Sequence, residues 1–458
     1  MSLLNQKQSL PRFVVFFLIA SLFGSPLLFA YDLTSAETQL LQKIEKDTLS
    51  YFLEQADPQT GLVRDNSRPG SPASIAATGF GLAALAVGAD RGWIARDLAR
   101  TNILKTLTFL ENHVEHKNGV FYHFLDMRTG KRTWKSEASS IDTALLVAGA
   151  LTAAQYYPNT EIEKRAKKIY ARVNWEWMMN HSSLVCMGWS PETGFLPYYW
   201  DSYNELLILQ ALALGAPVYP IPPEAWNAWS RNEDEYNGHK VINSYSGSLF
   251  TYQYPHAFID FRNLNDLDIN YFKNSVEASL ANRDYSMSFE KTSKSYSAYS
   301  WGLSAATGPG GYRAYGGKPG QGIQDGTIAP HAAIGSLPFT PKESLAAIKF
   351  FYLKLGDKIY KQYGFTGSFN LDKKFYSSEY LGIDEGIILL MIENFSNDGS
   401  IWKKFMTLPC IKDWIQITGI DKKRPPAKNQ SAQELSVKSE AVVAEKSEAQ
   451  TSAGNKRI

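Results

Sequence analysis

The chain has 458 residues, with 47 Lys and Arg against 45 Asp and Glu and a formal net charge of +2. That balance excludes the strongly basic surface that nucleic acid or an acidic membrane would demand. Two cysteines, Cys186 and Cys410, exclude a disulfide framework and a Cys-rich zinc site, and leave one bridge open.

The first 30 residues stand apart. Lys7 and Arg12 precede an apolar run from Phe13 to about Phe29, and Ala30 is a suitable cleavage point. This reads as a secretory signal peptide, with an uncleaved anchor as the alternative. Export is therefore expected, to the periplasm or beyond, with no membrane span in the mature form.

From residue 31 two kinds of helical segment alternate. Ala36–Glu54, Ile94–Val114, Glu161–Met179, Asn270–Ala281 and Pro341–Tyr360 carry one apolar and one charged face, as solvent-facing helices do. Ser74–Gly88, Ile141–Ala154, Glu205–Gly215 and Asp384–Phe395 are apolar nearly all round and must be buried on every side. Shorter buried segments are expected near His256 and Thr327, and a last outer one near Ser400–Met406. About six inner helices inside about six outer ones make an all-α fold, an (α/α)6 toroid. A small β-containing excursion is expected around Val241–Tyr252. Residues 31–420 form this one domain. Residues 421–458 are rich in Lys, Glu, Ser and Ala, lack aromatics, and read as a disordered tail.

Polar residues gather where the inner segments begin. Glu137 and Asp142 introduce the second; Trp200, Asp201, Tyr203, Asn204 and Glu205 the third; His256, Asp260 and Arg262 surround the fourth; Arg313 and Asp325 precede the fifth; Asp384 and Glu385 open the sixth. In a toroid these ends share one mouth. Asp142, Asp201 and Asp384 also suit helix capping. Glu205 is harder to explain so, because it opens a strongly apolar run and a buried Glu is rare unless paired or used. No zinc motif, nucleophile elbow or phosphate loop occurs, so neither metal nor cofactor is expected. The glycine-rich Gly308–Gly317 fits a flexible, aromatic-bearing loop over a sugar cleft.

Eight segments in order, among them GVFYHFLDM (Gly119–Met127), SEASSIDTALLVAGAL (Ser136–Leu151), MGWSPETGFLPYYWDSYNELLIL (Met187–Leu209), WGLSAATGPGGYRAYG (Trp301–Gly316) and LGIDEGIILLMIEN (Leu381–Asn394), resemble the bacterial glycoamylase-like domain family, which includes endo-β-1,2-glucanases. The resemblance implies an (α/α)6 toroid and places Glu137 and Glu205 in a reaction centre. It departs at Glu385, where relatives often carry Gln, an extra acid expected to alter charge at the mouth. The implied activity is hydrolysis of a β-linked glucan by two carboxyl groups, with inversion. Glu205 is the expected general acid and Glu137 the base, the roles being exchangeable. Trp189, Tyr199, Trp200, Tyr203 and Trp301 are candidates for sugar stacking. Arg262, Arg313, Asp325 and Asp384 are candidates for hydroxyl binding or support. The partner is thus an oligo- or polysaccharide, handled by a monomer. Transglycosylation and non-catalytic envelope glycan binding are the alternatives.

Overall fold

The computed structural model describes residues 31–421. The signal-peptide and tail expectations lie outside them. Thirteen α-helices are described: α1 (Ser35–Glu54), α2 (Ile75–Asp90), α3 (Arg96–Asn112), α4 (Ser140–Tyr156), α5 (Glu161–Arg172), α6 (Leu206–Leu214), α7 (Ala225–Ala228), α8 (Tyr271–Met287), α9 (Pro330–Gly335), α10 (Pro341–Ile359), α11 (Gly382–Ser396), α12 (Ser400–Phe405) and α13 (Pro409–Thr418). None of them is long and apolar enough to cross a membrane.

The all-round apolar segments are the inner ring. In α4 every residue but Gln155 is buried, and α6 is buried throughout. Neighbours pack in a closed circuit: α2 on α4, α4 on α6, α6 on the turn Tyr254–Ala257, the adjoining turn Leu249–Tyr252 on α9, α9 on α11, and α11 on α2. Outer helices lean on this ring, α1 against α11 and α2, α3 against α2 and α5, and α10 against α9. This is the expected (α/α)6 toroid. The α2–α4 contact is close enough to require glycine: a Cβ on Gly149 would lie 1.8 Å from the Gly79 carbonyl oxygen.

Three details differ from the sequence reading. The fourth inner element is a pair of 3-10 turns, because Pro255 sits where an α-helix would need an N–H. The β excursion is the hairpin Glu233–Tyr236 with His239–Ile242, upstream of the expected range. The helix after α6 is only one turn long, and α13 fills the vacant outer position, with Trp414 packing edge-on against Trp226 at 5.7 Å between centroids. Cys186 and Cys410 are both free and buried.

Short β-pairings tie the ends of the inner helices into a collar. Ala73–Ser74 pairs with Phe124–Leu125, Ala138–Ser139 with Gly188–Ser190, and Asn66 bridges Leu381. The N-termini of α2, α4 and α11 therefore stand side by side.

Candidate active site

The collar delivers carboxyl groups to one place. Ser139 caps α4, its hydroxyl accepting the Asp142 N–H at 3.3 Å and donating to the Asp142 carboxylate at 2.5 Å. Glu137 lies two residues ahead of that cap, on the same face of its strand as Ser139. Gly188 pairs with Ser139, and a Cβ there would reach 2.6 Å from Glu137 Cγ. The glycine leaves the room that the carboxylate fills.

His123 stands between the two acids. Its Nδ1 is 3.0 Å from Glu137 Oε1 and its Nε2 is 3.5 Å from Asp142 Oδ1. Its backbone N–H donates to the Glu137 carbonyl at 2.9 Å, and its carbonyl accepts from Ile75 N–H at 3.1 Å. The ring is thereby fixed to the heads of both α2 and α4. Burial alone would disfavour a charged imidazole, but Asp142, Glu137 and Asp65 outweigh it and push His123 up to about 9. At neutral pH it is an imidazolium. Glu137 shows the complementary effect: burial pushes it up, and the bond to His123 more than offsets this, so it is held below the usual carboxylate range. The three groups bring a ring nitrogen and two carboxylate oxygens within 4.8 Å of one another, a spacing a metal ion could fill. The same three groups also form an ion-paired triad when the ring is protonated.

Glu205 has the opposite character. It sits at the head of α6, where burial, reinforced by the charge of Asp142, raises it to about 7. It carries no cationic partner among the described residues. One carboxyl group is thus about half protonated at neutrality while another stays ionised. Such divergent environments separate acid from base in glycosidases.

Further groups complete the mouth. Asp65, positioned where its carbonyl accepts the Gly382 N–H at 2.8 Å, is raised by burial and by the charges of Asp142 and Asp384. Asp384, in the first turn of α11, approaches His331 Nδ1 at 3.1 Å, both side chains being buried. Tyr254 and Tyr312 are raised by burial first and then by the charge of Asp384, with Glu205 contributing to both. Tyr312 arrives on the hairpin Ala305–Gly308 with Gly311–Ala314, an ordered ribbon where the sequence suggested a flexible loop. Tyr312 is 57% exposed, and the charges of Asp384, Asp65 and Glu205 act on its hydroxyl.

The structure therefore brings together Glu137, Asp142, Glu205 and Asp384 of the expected residues. Asp65, His123, Tyr254 and Tyr312 were missed.

Several expected residues lie elsewhere. Alternation along the hairpin puts Arg313 on the face opposite Tyr312, with its guanidinium folded against Gly310. Trp189 pairs with Ala138 and so faces away from Glu137, packing on Trp177 and Phe195 under Lys117. Tyr203 is fully buried and stacks on Tyr252 at 5.1 Å, and Trp301 is fully buried, so neither can offer a face to a sugar. Tyr199 turns to Asn180, which donates to its hydroxyl at 3.2 Å. Trp200 is buried, its indole N–H donating to Ser140 at 2.9 Å, and supports the α4 head from behind. Asn204 accepts the Leu206 N–H at 2.8 Å in the turn that leads into α6. Asp201 is exposed and receives only the hydroxyl of its neighbour Ser202 among side chains. Asp325 is bonded to Thr327 at 2.6 Å and Lys373 at 3.0 Å and pins the strand leading to α9.

His256, Asp260 and Arg262 are at the far end of the ring. His256 is buried among Phe261, Phe272 and Phe339, bonds Ser275 at 2.9 Å, and is held neutral by burial, which lowers it to about 3. Arg262 forks onto Asp260 and lies 4.7 Å over Trp402 of α12, past the C-terminal end of α11. Glu385 is buried and turned towards Thr48 of α1. Burial and the charge of Asp384 raise it well above the carboxylate range, so it is a neutral group and adds no charge to the mouth, contrary to the expectation of an extra charged acid.

The family model Glycoamylase, described as "Putative glucoamylase", matches residues 197–409. A crystal structure of a "putative glucoamylase" from Bacteroides uniformis is 30% identical, covers 84% of this chain and 98% of its own, and superposes with a TM-score of 0.79. An endo-β-1,2-glucanase from Chitinophaga pinensis, solved with sophorotriose and glucose, is 29% identical over 84% of this chain and 98% of its own, also at 0.79. Among curated proteins, an exo β-1,2-glucooligosaccharide sophorohydrolase from Parabacteroides distasonis is 29% identical over 420 residues, 83% of this chain. The chain spans 58% of that relative's length. With its closed ring, its cluster of acids at the ring mouth and 30% identity over 84% of its length to a solved member, the chain belongs to the glycoamylase-like family.

Proposed function

We propose that this protein is a glycoside hydrolase that cleaves β-1,2-glucan internally, with Glu205 as general acid. The observation that carries this reading is the contrast between Glu205, raised to about 7 without a cationic partner, and Glu137, held ionised by His123. Protonating the departing oxygen needs the first kind of carboxyl group. Activating a water on the opposite face of the sugar needs the second. Glu137 is the base in this scheme and the reaction inverts. One observation favours a second assignment: the charge that reaches Glu205 is that of Asp142, so Asp142 is the alternative base. The hydroxyl of Tyr312 and the carboxylates of Asp65 and Asp384 are suited to the sugar hydroxyls around the cleaved bond.

The β-1,2 linkage is supported by relatives named for sophoro-oligosaccharides and β-1,2-glucan. The basic and apolar start of the sequence supports export, to the periplasm or outside the cell. A ring that closes within one chain and buries its own apolar helices supports a monomer.

The test is incubation of the purified protein with linear β-1,2-glucan, the products resolved by size and by anomeric form. Short β-1,2-oligosaccharides released in the inverted anomer support the reading. Larger or cyclic products would replace it with transglycosylation, and binding without cleavage would replace it with a glycan-binding role.

A further inference from the structure

The loop that leads into Glu137 carries an anomaly. Thr133–Ser136 is a tight turn, closed by the Ser136 N–H donating to the Thr133 carbonyl at 3.0 Å. Its two central residues are Trp134 and Lys135, at φ 53° and 51°. A turn with both central residues left-handed is normally built from Asn and Gly, because a side chain there is strained. Here one position holds the bulkiest side chain available, and that side chain is 63% exposed. Local propensity and burial of apolar surface both disfavour this arrangement.

The turn is nevertheless braced. Arg132 donates from Nη2 to the Lys135 carbonyl at 2.6 Å and from Nε to the Ser136 carbonyl at 2.5 Å. Glu192 holds the same guanidinium through two bonds of 2.7 and 2.8 Å, and the Tyr122 ring lies 5.2 Å beneath it. A strained conformation over-determined by its surroundings is the pattern that points to use. The position of the indole says what use. Its ring is 5.2 Å from Phe124, which stacks on His123 at 3.8 Å, and His123 bonds Glu137. Trp134 is the outermost step of an aromatic series that runs from the candidate base out to solvent.

We propose that Trp134 is a sugar-binding platform, a subsite that stacks the C–H face of a glucosyl unit of the glucan on the Glu137 side of the cleft. The inference rests on the glucanase reading for the identity of the sugar chain. A flat apolar indole, 63% exposed and held in place with Phe124 beside it, is what a pyranose recognises. The Arg132–Glu192 brace removes the ordering cost that a flexible loop would incur on binding.

The test compares wild type, Trp134→Ala and Trp134→Phe in kcat and KM on linear β-1,2-glucan, with thermal unfolding alongside. Trp134→Ala is expected to raise KM about tenfold, the scale of one lost aromatic contact, with a much smaller change in kcat. Trp134→Phe, which keeps a flat face, recovers most of the loss, and the unfolding temperature stays put because the indole is exposed. An unchanged KM in Trp134→Ala, or a Phe variant as impaired as the Ala one, overturns the proposal. A wild type that leaves β-1,2-glucan uncut refutes the glucanase reading separately. In that case retardation in gels of β-1,2-, β-1,3- and β-1,4-glucan decides the platform: retardation lost in Trp134→Ala upholds it, and equal or absent retardation overturns it.

Discussion

The two ends of the ring differ in how they treat charge. At the far end, acids are matched. Arg262 forks onto Asp260, and Arg91 meets Glu393 at 3.4 Å while Ser400 and Asn397 donate to the same carboxylate at 2.6 and 2.7 Å. The neighbouring Glu45 is raised by burial and by Glu393, so it stays neutral and adds no second charge. At the mouth, Asp65, Glu137, Asp142, Glu205 and Asp384 gather around the imidazolium of His123, in excess of any cation. Inner helices presenting their N-termini to the mouth help it hold that excess, since the positive end of each dipole favours anions. Both ends are rich in polar residues. Among the described residues only the mouth leaves them with unbalanced charge, which adds to burial in setting its carboxyl groups to different protonation states.

The largest effect should come from the acid. Glu205→Gln should cut turnover on β-1,2-glucan by about a thousandfold while the unfolding temperature holds, because the amide cannot give up a proton. The far end should show the reverse. Arg91→Met strands Glu393 and should cost about 3 kcal/mol of stability, read by denaturant unfolding, with kcat/KM unchanged. Asp142→Asn tests the coupling within the mouth. Asp142 raises Glu205, so its removal should move the basic limb of the pH–rate profile below pH about 7, in addition to any loss of rate, whereas Glu137→Gln should leave that limb in place.

His123→Gln is smaller, on the order of tenfold in kcat/KM. Without the imidazolium, burial acts on Glu137 unopposed, so the acidic limb should move to higher pH. The same change alters stability. His123 is raised from 6.5 to about 9, so its contribution is complete below its unfolded value and is lost as pH rises through about 9. The variant should lack that alkaline decline in unfolding free energy. The smallest effect is expected of Glu385→Gln, which exchanges one neutral buried group for another and should leave both limbs unmoved.

The ring was legible in the sequence because all-round apolarity has a single physical meaning: a helix such as α4 or α6 must be enclosed. Helices that face solvent were legible through their one-sided pattern. The fourth inner element was not, since an aromatic run around Pro255 gives no periodicity. Of the site, Glu205 stood out because it is chemically out of place at the start of an apolar run, and Glu137 through the family likeness. His123 and Asp65 did not, because they lie on short collar segments and reach the mouth only through pairing with residues distant along the chain. The segment GVFYHFLDM contained His123 among the residues that carried the family likeness, and that was the available signal. Asp260, Arg262 and His256 misled for a related reason: with the fourth element collapsed to 3-10 turns, these residues fall at its far end and not at its head.

The most direct test of the account is the pH dependence of kcat/KM for linear β-1,2-glucan, measured through the neutral range on the wild type and on Glu205→Gln. A basic limb near pH 7 is expected in the wild type, and residual, limb-free activity in the variant. A wild-type limb that persists unchanged in Glu205→Gln, or activity in the variant close to wild type, would remove Glu205 as the acid and contradict the account.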